Sequence, residues 1–295
     1  MRKTVSRILL SALMVLAWGA AARAADTSRL VVIGGSLTEI VFALGKGGSV
    51  VGVDQTSVWP PEVKAMPQVG YYKKVSAEGV LALSPTMVIA YRDAEPAGAL
   101  RQIEQAGVPV ALFDRSPPMQ ALKDNIAGLG RLLDTRDLDT RDRAEALGRS
   151  LDGQIAAVAR AVAGVKTRPR VLFVLNYDPS QTVVAGTDTI AGQLIEMAGG
   201  VNAADGITGF KPLNGEMVSA AAPDIVLTVE ERWEAVGGVA GMTRLPGMSS
   251  TPAARTGRFA AVPGPLMLGL GPRLGEGLRR LAVLFHGEGV LDHGR

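Results

Sequence analysis

Two adjacent phenols and two adjacent ammoniums, Tyr71-Tyr72-Lys73-Lys74, follow the turn Pro67-Gln68-Val69-Gly70 and precede Val75-Ser76-Ala77-Glu78-Gly79-Val80. A phenolate flanked by cations is a hard ligand suited to a ferric centre, and the lysines could pair with carboxylates on whatever carries that metal. The same residues also fit a plainer use, since tyrosine pairs commonly pack half-buried and lysine pairs commonly face water. Rival donors are few. The chain has no Cys, which excludes disulfides, thiolate metal sites and Cys nucleophiles. Its two histidines, His286 and His293, lie near the C-terminus and are expected at the surface, so a His-based triad or zinc site in a cleft lacks material. Gly34-Gly35-Ser36 and Gly269-Leu270-Gly271 are glycine-rich loops, but neither completes a dinucleotide or P-loop fingerprint. A secreted nucleotide-dependent enzyme is therefore the remote alternative.

The elements that must position these groups follow a leader. Arg2, Lys3 and Arg7 precede an apolar run from Ile8 to Ala20, and Ala22-Arg23-Ala24 supplies a small-x-small pattern, so residues 1–24 read as a cleaved secretory signal peptide. Without a Cys there is nothing to carry a lipid anchor. No later segment is apolar enough to span a membrane. Removing residues 1–24 takes four bases and no acids from the 31 bases and 28 acids, leaving a mature net charge of −1. Nucleic-acid binding thereby loses its electrostatic support.

The 271 residues that remain of 295 are enough for two lobes with separate cores. Strands are expected at 29–34, 50–53, 87–90 and 109–113, with helices near 36–44 and 97–106 between them. Ser36 and Glu39 have the spacing of a capping box at the first helix start. From Met119 to about Ala163 the pattern turns helical, with Leu147, Leu151, Ile155 and Val158 on one face, interrupted by a segment in which Asp-Thr-Arg-Asp occurs twice, at 134–137 and 139–142. Alternation resumes with a strand at 170–175, a helix at 189–198 and a strand at 222–228. Residues 78–89 and 216–227 align without a gap at a spacing of 138, placing Glu78 opposite Glu216. These features predict an α/β chain of two pseudo-symmetric lobes with largely parallel sheets: 25–118, a helical segment 119–168 containing a long interdomain helix, and 169–295. The cleft between such lobes is the expected ligand site.

Four stretches carry a family resemblance across the expected mature chain: 34–41 (GGSLTEIV), Val69-Gly70-Tyr71 to Ser76-Ala77-Glu78-Gly79, 198–202 (AGGVN) and Gly269-Leu270-Gly271-Pro272-Arg273. The chain resembles the periplasmic haem-binding proteins of bacterial haem-uptake ABC importers, within the helical-backbone (class III) substrate-binding proteins that also serve cobalamin and ferric siderophores. The Gly-Tyr-x-Lys-x-x-Ser-Ala-Glu-Gly segment is its haem-specific part. The resemblance implies a non-enzymatic, monomeric carrier in the periplasm that transports ferric haem b. Its partner would be an inner-membrane ABC permease dimer with ATPase subunits. A ferric-siderophore or cobalamin carrier of the same class is the alternative. By the same resemblance Tyr71 is the axial iron ligand, Lys73 and Arg232 lie near the haem or its propionates, and Tyr177 stands in a loop where some relatives place a second axial His. By that resemblance Tyr177 is a contact on the distal face or a second ligand, with five-coordinate iron on Tyr71 alone the first choice. Tyr72 is expected to pack or face solvent, Arg273 to serve the fold, and Glu78 and Glu216 to dock on the permease.

Overall fold

The computed structural model describes residues 26–116, 118–134, 139–177 and 181–294. The expected leader lies outside them, as do residues 135–138 of the doubled Asp-Thr-Arg-Asp segment, Asp178, and the side chain of His293.

The first sheet has the order β2-β1-β5-β6, all parallel: β1 (Leu30–Ile33), β2 (Val50–Val53), β5 (Met87–Tyr91) and β6 (Val110–Phe113). β1 and β5 are buried along their whole length, as β-branched runs covered on both faces must be. Helices α1 (Gly35–Ala43), α2 (Ala77–Leu81) and α3 (Ala97–Gln105) make the crossovers. A small antiparallel hairpin, β3 (Gly70–Tyr71) with β4 (Lys74–Val75), precedes α2. Two helices follow, α4 (Pro118–Leu132) and α5 (Thr140–Ala163). The second sheet has the order β10-β8-β7-β11-β12. It is parallel among β7 (Arg170–Tyr177), β11 (Ile225–Val229) and β12 (Phe259–Val262), while β8 (Thr182–Ala185) and β10 (Phe210–Leu213) run antiparallel at one edge. Short β9 (Val201–Asn202) pairs with β7. Helices α6 (Ile190–Met197), α7 (Gly215–Ala221), α8 (Glu230–Val236), α9 (Gly238–Arg244), α10 (Pro252–Thr256), α11 (Gly264–Leu268) and α12 (Leu274–His286) complete the second lobe.

The repeat seen in the sequence is structural. α2 and α7 begin at residues 77 and 215, each capped by the side chain 138 residues from its counterpart, Ser76 accepting from Gly79 N and Asn214 from Met217 N. β5 and β11 have the same length and the same 138-residue offset. Ser84 and Ala222, also 138 apart and each followed by proline, are the two positive-φ residues other than glycine among the described residues, at 48° and 44°. The left-handed turn leads the chain out of the helix ahead of a proline that cannot continue it.

α4, α5 and α12 bind the lobes together. Leu122, Ile126 and Leu129 of α4, Leu151 and Val158 of α5, and Leu278, Leu281 and Phe285 of α12 share one apolar core with β1, β5, β7 and β11. Burying a side chain of this size stabilises by roughly 1.5–3 kcal/mol. Gly130 lets α4 and α5 approach closely, and Thr140 Oγ1 donates to the Gly130 carbonyl at 2.6 Å. α5, with 24 residues, is about 36 Å long. No helix among the described residues is long and apolar enough to cross a membrane.

Two expectations require correction. Ser36 does not cap α1: the cap position lies two residues earlier, at Gly34, whose φ is 132°, and the helix starts at Gly35. Its first amides are taken by the β2 loop instead, Gly34 N donating to Asp54 Oδ1 at 2.9 Å and Gly35 N to Thr56 Oγ1 at 2.8 Å. Glu39 turns away from the helix start because Arg273, 234 residues on, offers a charged partner. His286 is packed rather than at the surface, with its Nε2 buried.

Candidate ligand cleft

In a parallel α/β sheet the loops at the C-terminal ends of the strands form the ligand crevice. In the first lobe those ends deliver Gly34 to Ser36 after β1, Asp54 to Ser57 after β2, Arg92 to Glu95 after β5, and Asp114 and Arg115 after β6. In the second they deliver Tyr177 as the last residue of β7, Glu230 to Arg232 after β11, and the 263–273 segment after β12. The two edges face each other. Leu270 of the second lobe lines one small cavity with Ser36, Tyr91, Arg115 and Asn125 of the first lobe and α4.

Tyr71 is placed by a tight hairpin whose two-residue loop is Tyr72-Lys73. Gly70 permits it: its φ is 103°, and a Cβ there would lie 2.7 Å from the Lys74 carbonyl oxygen. The hairpin is tied down by Gln55 N donating to Gly70 O at 2.8 Å and by Val75 N and Glu95 N exchanging bonds with Glu95 O and Tyr72 O at 2.7 Å each. Alternation along the hairpin then exposes Tyr71, 42% accessible, and turns Tyr72 toward an apolar cluster. The two rings meet edge to face, centroids 4.7 Å apart.

Burial and the hydrogen-bonding Tyr72 phenol hold the Tyr71 phenol above its ordinary pKa, while the Arg115 and Lys73 charges pull the other way. Lys73 Nζ is committed: it donates to the Asp93 carbonyl at 2.7 Å and forms ion pairs with Asp93 at 3.2 Å and Glu95 at 3.1 Å. Arg115, which no sequence motif singles out, stands with its guanidinium carbon 4.9 Å from the ring centroids of both Tyr72 and Tyr91. Burial opposes its charge, yet the Tyr72 and Tyr91 phenols and Asp93 outweigh that and push its pKa further up. Its position at the end of β6, following the pattern of Tyr91-Arg92-Asp93 at the end of β5, is the signal that could have marked it.

On the opposite edge, the Tyr177 hydroxyl donates to the Arg232 carbonyl at 3.4 Å, bringing these two together. Arg232 is exposed in the first turn of α8 and forms no ion pair with Glu230 or Glu231 among the described residues. Glu78 and Glu216 are exposed first-turn residues of α2 and α7. Arg273 serves the fold: it binds the buried Glu39 carboxylate through two nitrogens, at 2.7 and 3.1 Å, beneath the Trp59 ring at 4.5 Å. Among the described residues no group of three or more carboxylates or histidines could hold a bare metal ion.

Two α/β lobes joined by helices, in contact through Leu270 and Arg273 at the strand ends, with an exposed phenol on the first lobe, describe a ligand-binding protein rather than a catalyst. The family model described as "Periplasmic binding protein" matches residues 30–266, and the chain belongs to that family. Its structure is similar to the periplasmic heme-binding protein RhuT from Roseiflexus sp. RS-1 in apo form, with 39% identity, a TM-score of 0.82, and coverage of 92% of this chain and 100% of that one. It is similar also to the periplasmic heme-binding protein BhuT in complex with two hemes, with 38% identity, a TM-score of 0.80, and coverage of 90% and 99%. The vitamin B12-binding protein of Salmonella typhimurium is 26% identical over 236 residues, 79% of this chain and 83% of that protein.

Proposed function

We propose that this chain is a periplasmic carrier that captures ferric haem b between its two lobes and hands it to an ABC-type permease dimer with ATPase subunits. The carrying observation is the exposed Tyr71 phenol at the cleft edge with the Lys73 and Arg115 charges beside it. Tyr71 serves as the axial ligand, because anionic phenolate oxygen suits hard Fe(III). Lys73, already paired, acts through its field on the phenolate rather than as a free anion binder. Arg232, which forms no ion pair among the described residues, meets a propionate from the other edge, and Tyr177 borders the distal face. Residues 1–24 direct the chain to the periplasm and are removed there, and the carrier works as a monomer. The two similar structures, both of proteins described as heme-binding and both above 35% identity, support haem over the cobalamin and siderophore alternatives.

The test is a visible titration of the mature protein with hemin and, separately, with cyanocobalamin. Saturable hemin binding with the charge-transfer bands of phenolate-bound high-spin iron is expected, lost in Tyr71→Phe and retained in Tyr177→Phe. Saturable cobalamin binding with none for hemin would replace this reading by the alternative.

A further inference from the structure

We propose that Arg115 anchors a carboxylate of the bound ligand from the first lobe. This assignment deepens the haem-carrier reading and rests on it. Arg115 follows β6 at the cleft edge, and its loop is held from α4, where Asn125 Nδ2 donates to the Asp114 carbonyl at 2.8 Å. The guanidinium carbon stands 4.9 Å from the centroids of both the Tyr72 and the Tyr91 ring, contacts that help hold the side chain in place.

That fork is underused. Lys73, Arg92 and Arg115 share this edge with Asp93, Glu95 and Asp114, so the cluster is formally neutral before any ligand arrives. Lys73 takes Asp93 and Glu95 at hydrogen-bond distance, and Arg92 takes Asp114 at 2.9 Å. Arg115 hydrogen-bonds the Tyr72 phenol, and the one carboxylate left to it is the same Asp93 oxygen that Lys73 already holds, at 3.9 Å, beyond hydrogen-bond reach. A guanidinium carries five N–H donors and cannot give up its charge. With its side chain 36% accessible, Arg115 is a partly desolvated cation lacking a bonded carboxylate among the described residues. The ligand this geometry recognises is a carboxylate taken bidentately. A cavity of about 10 Å³ beside it, lined also by Ser36, Asn125 and, from the second lobe, Leu270, leaves space on the scale of one water. Ferric haem presents two carboxylates, and Arg115 takes one of them from the Tyr71 side while Arg232 approaches from the other lobe. Because the cluster is neutral, the contribution lies in local hydrogen bonding and in holding the ligand, not in long-range attraction.

The test compares hemin with hemin dimethyl ester, which keeps the iron and the ring but lacks free carboxylates, on wild type, Arg115→Gln and Arg115→Lys. Charge-assisted hydrogen bonds of this kind correspond to about a tenfold or greater change in affinity. Arg115→Gln should therefore weaken hemin about tenfold or more and the ester by no more than about twofold, with Arg115→Lys between wild type and Gln for hemin alone. Equal losses for both ligands, or none for hemin, would overturn the assignment, as would wild type binding both ligands equally. If Arg115→Gln melts below the assay temperature, Arg115→Lys carries the same comparison, and its hemin-selective loss decides. Wild type that binds neither porphyrin overturns the haem reading itself, and this assignment with it.

Discussion

Tyr71 has to lose a proton before it can act as an anionic ligand, and its surroundings in the unliganded protein do not remove it. Burial and the Tyr72 phenol keep the pKa above 10.0, against the pull of Arg115 and Lys73. Iron must therefore displace the proton, and ligand deprotonation makes such binding pH-dependent. Hemin binding should release about one proton more in wild type than in Tyr71→Phe. An indicator dye in weakly buffered solution at a pH near 6 reads the difference. Because the free phenol stays protonated throughout the accessible range, the affinity advantage of wild type over Tyr71→Phe should grow with pH by up to about tenfold per unit. A pH-independent difference would mean that the phenol contributes packing rather than ligation. Tyr72 is expected from the sequence to pack or face solvent, and packing is what the hairpin alternation gives it, yet it also couples Tyr71 to Arg115.

At the scale of elements, the Glu39–Arg273 pair joins α1 to the segment entering α12, and so ties the cleft edge of the first lobe to the second. Glu39 is 8% accessible, and burial outweighs Arg273 in setting its carboxyl, whose pKa is raised above 4.5. A carboxyl held more protonated in the folded than in the unfolded chain makes folding stability fall as pH rises from 4.5 through the raised value. Glu39→Gln should abolish that part of the slope, measured by urea denaturation between pH 4.5 and 7. Glu39→Ala should cost about 1.5–3 kcal/mol, since it removes the charge-assisted hydrogen bonds of a partly buried Arg273, whose side chain is 22% accessible. Stability within about 0.5 kcal/mol of wild type in the alanine variant would show the pair to be solvated and incidental.

For the whole molecule, α5 acts as a strut packed against α4 and α12, and the core it shares with both sheets resists wide lobe rotation. Apo and haem-loaded protein should give nearly superimposable small-angle scattering profiles; a clear drop in radius of gyration on loading would contradict the strut. The pseudo-twofold arrangement also bears on the permease. Glu78 and Glu216 stand at equivalent, exposed helix starts, where a carboxylate already suits the helix dipole. If they also dock on a twofold partner, Glu78→Ala with Glu216→Ala should leave hemin affinity and melting temperature nearly unchanged while lowering haem delivery and stimulated ATP hydrolysis in reconstituted vesicles. Delivery at the wild-type rate would leave them as helix-start residues alone.

By itself the sequence determined what repeats and what alternates. Short apolar runs alternating with helical stretches marked β1, β2, β5, β6, β7 and β11, and the 138-residue offset carried over into matching caps, strands and left-handed turns, because these depend on a few neighbouring residues. The motif around Tyr71 was likewise legible as a local pattern of phenol, cation and turn. The antiparallel edge of β8 and β10 was not, since short strands held by a partner sheet carry little periodicity of their own. Nor was the fate of Glu39, where a local capping box lost to a guanidinium 234 residues away. Which cations at the cleft are already paired was equally hidden: Lys73, prominent in the sequence, is neutralised by Asp93 and Glu95, while Arg115, in no motif, is left with donors to spare. Ion pairing depends on distances of 3–4 Å between loops that only the packed sheet brings together, and tertiary structure alone decides it.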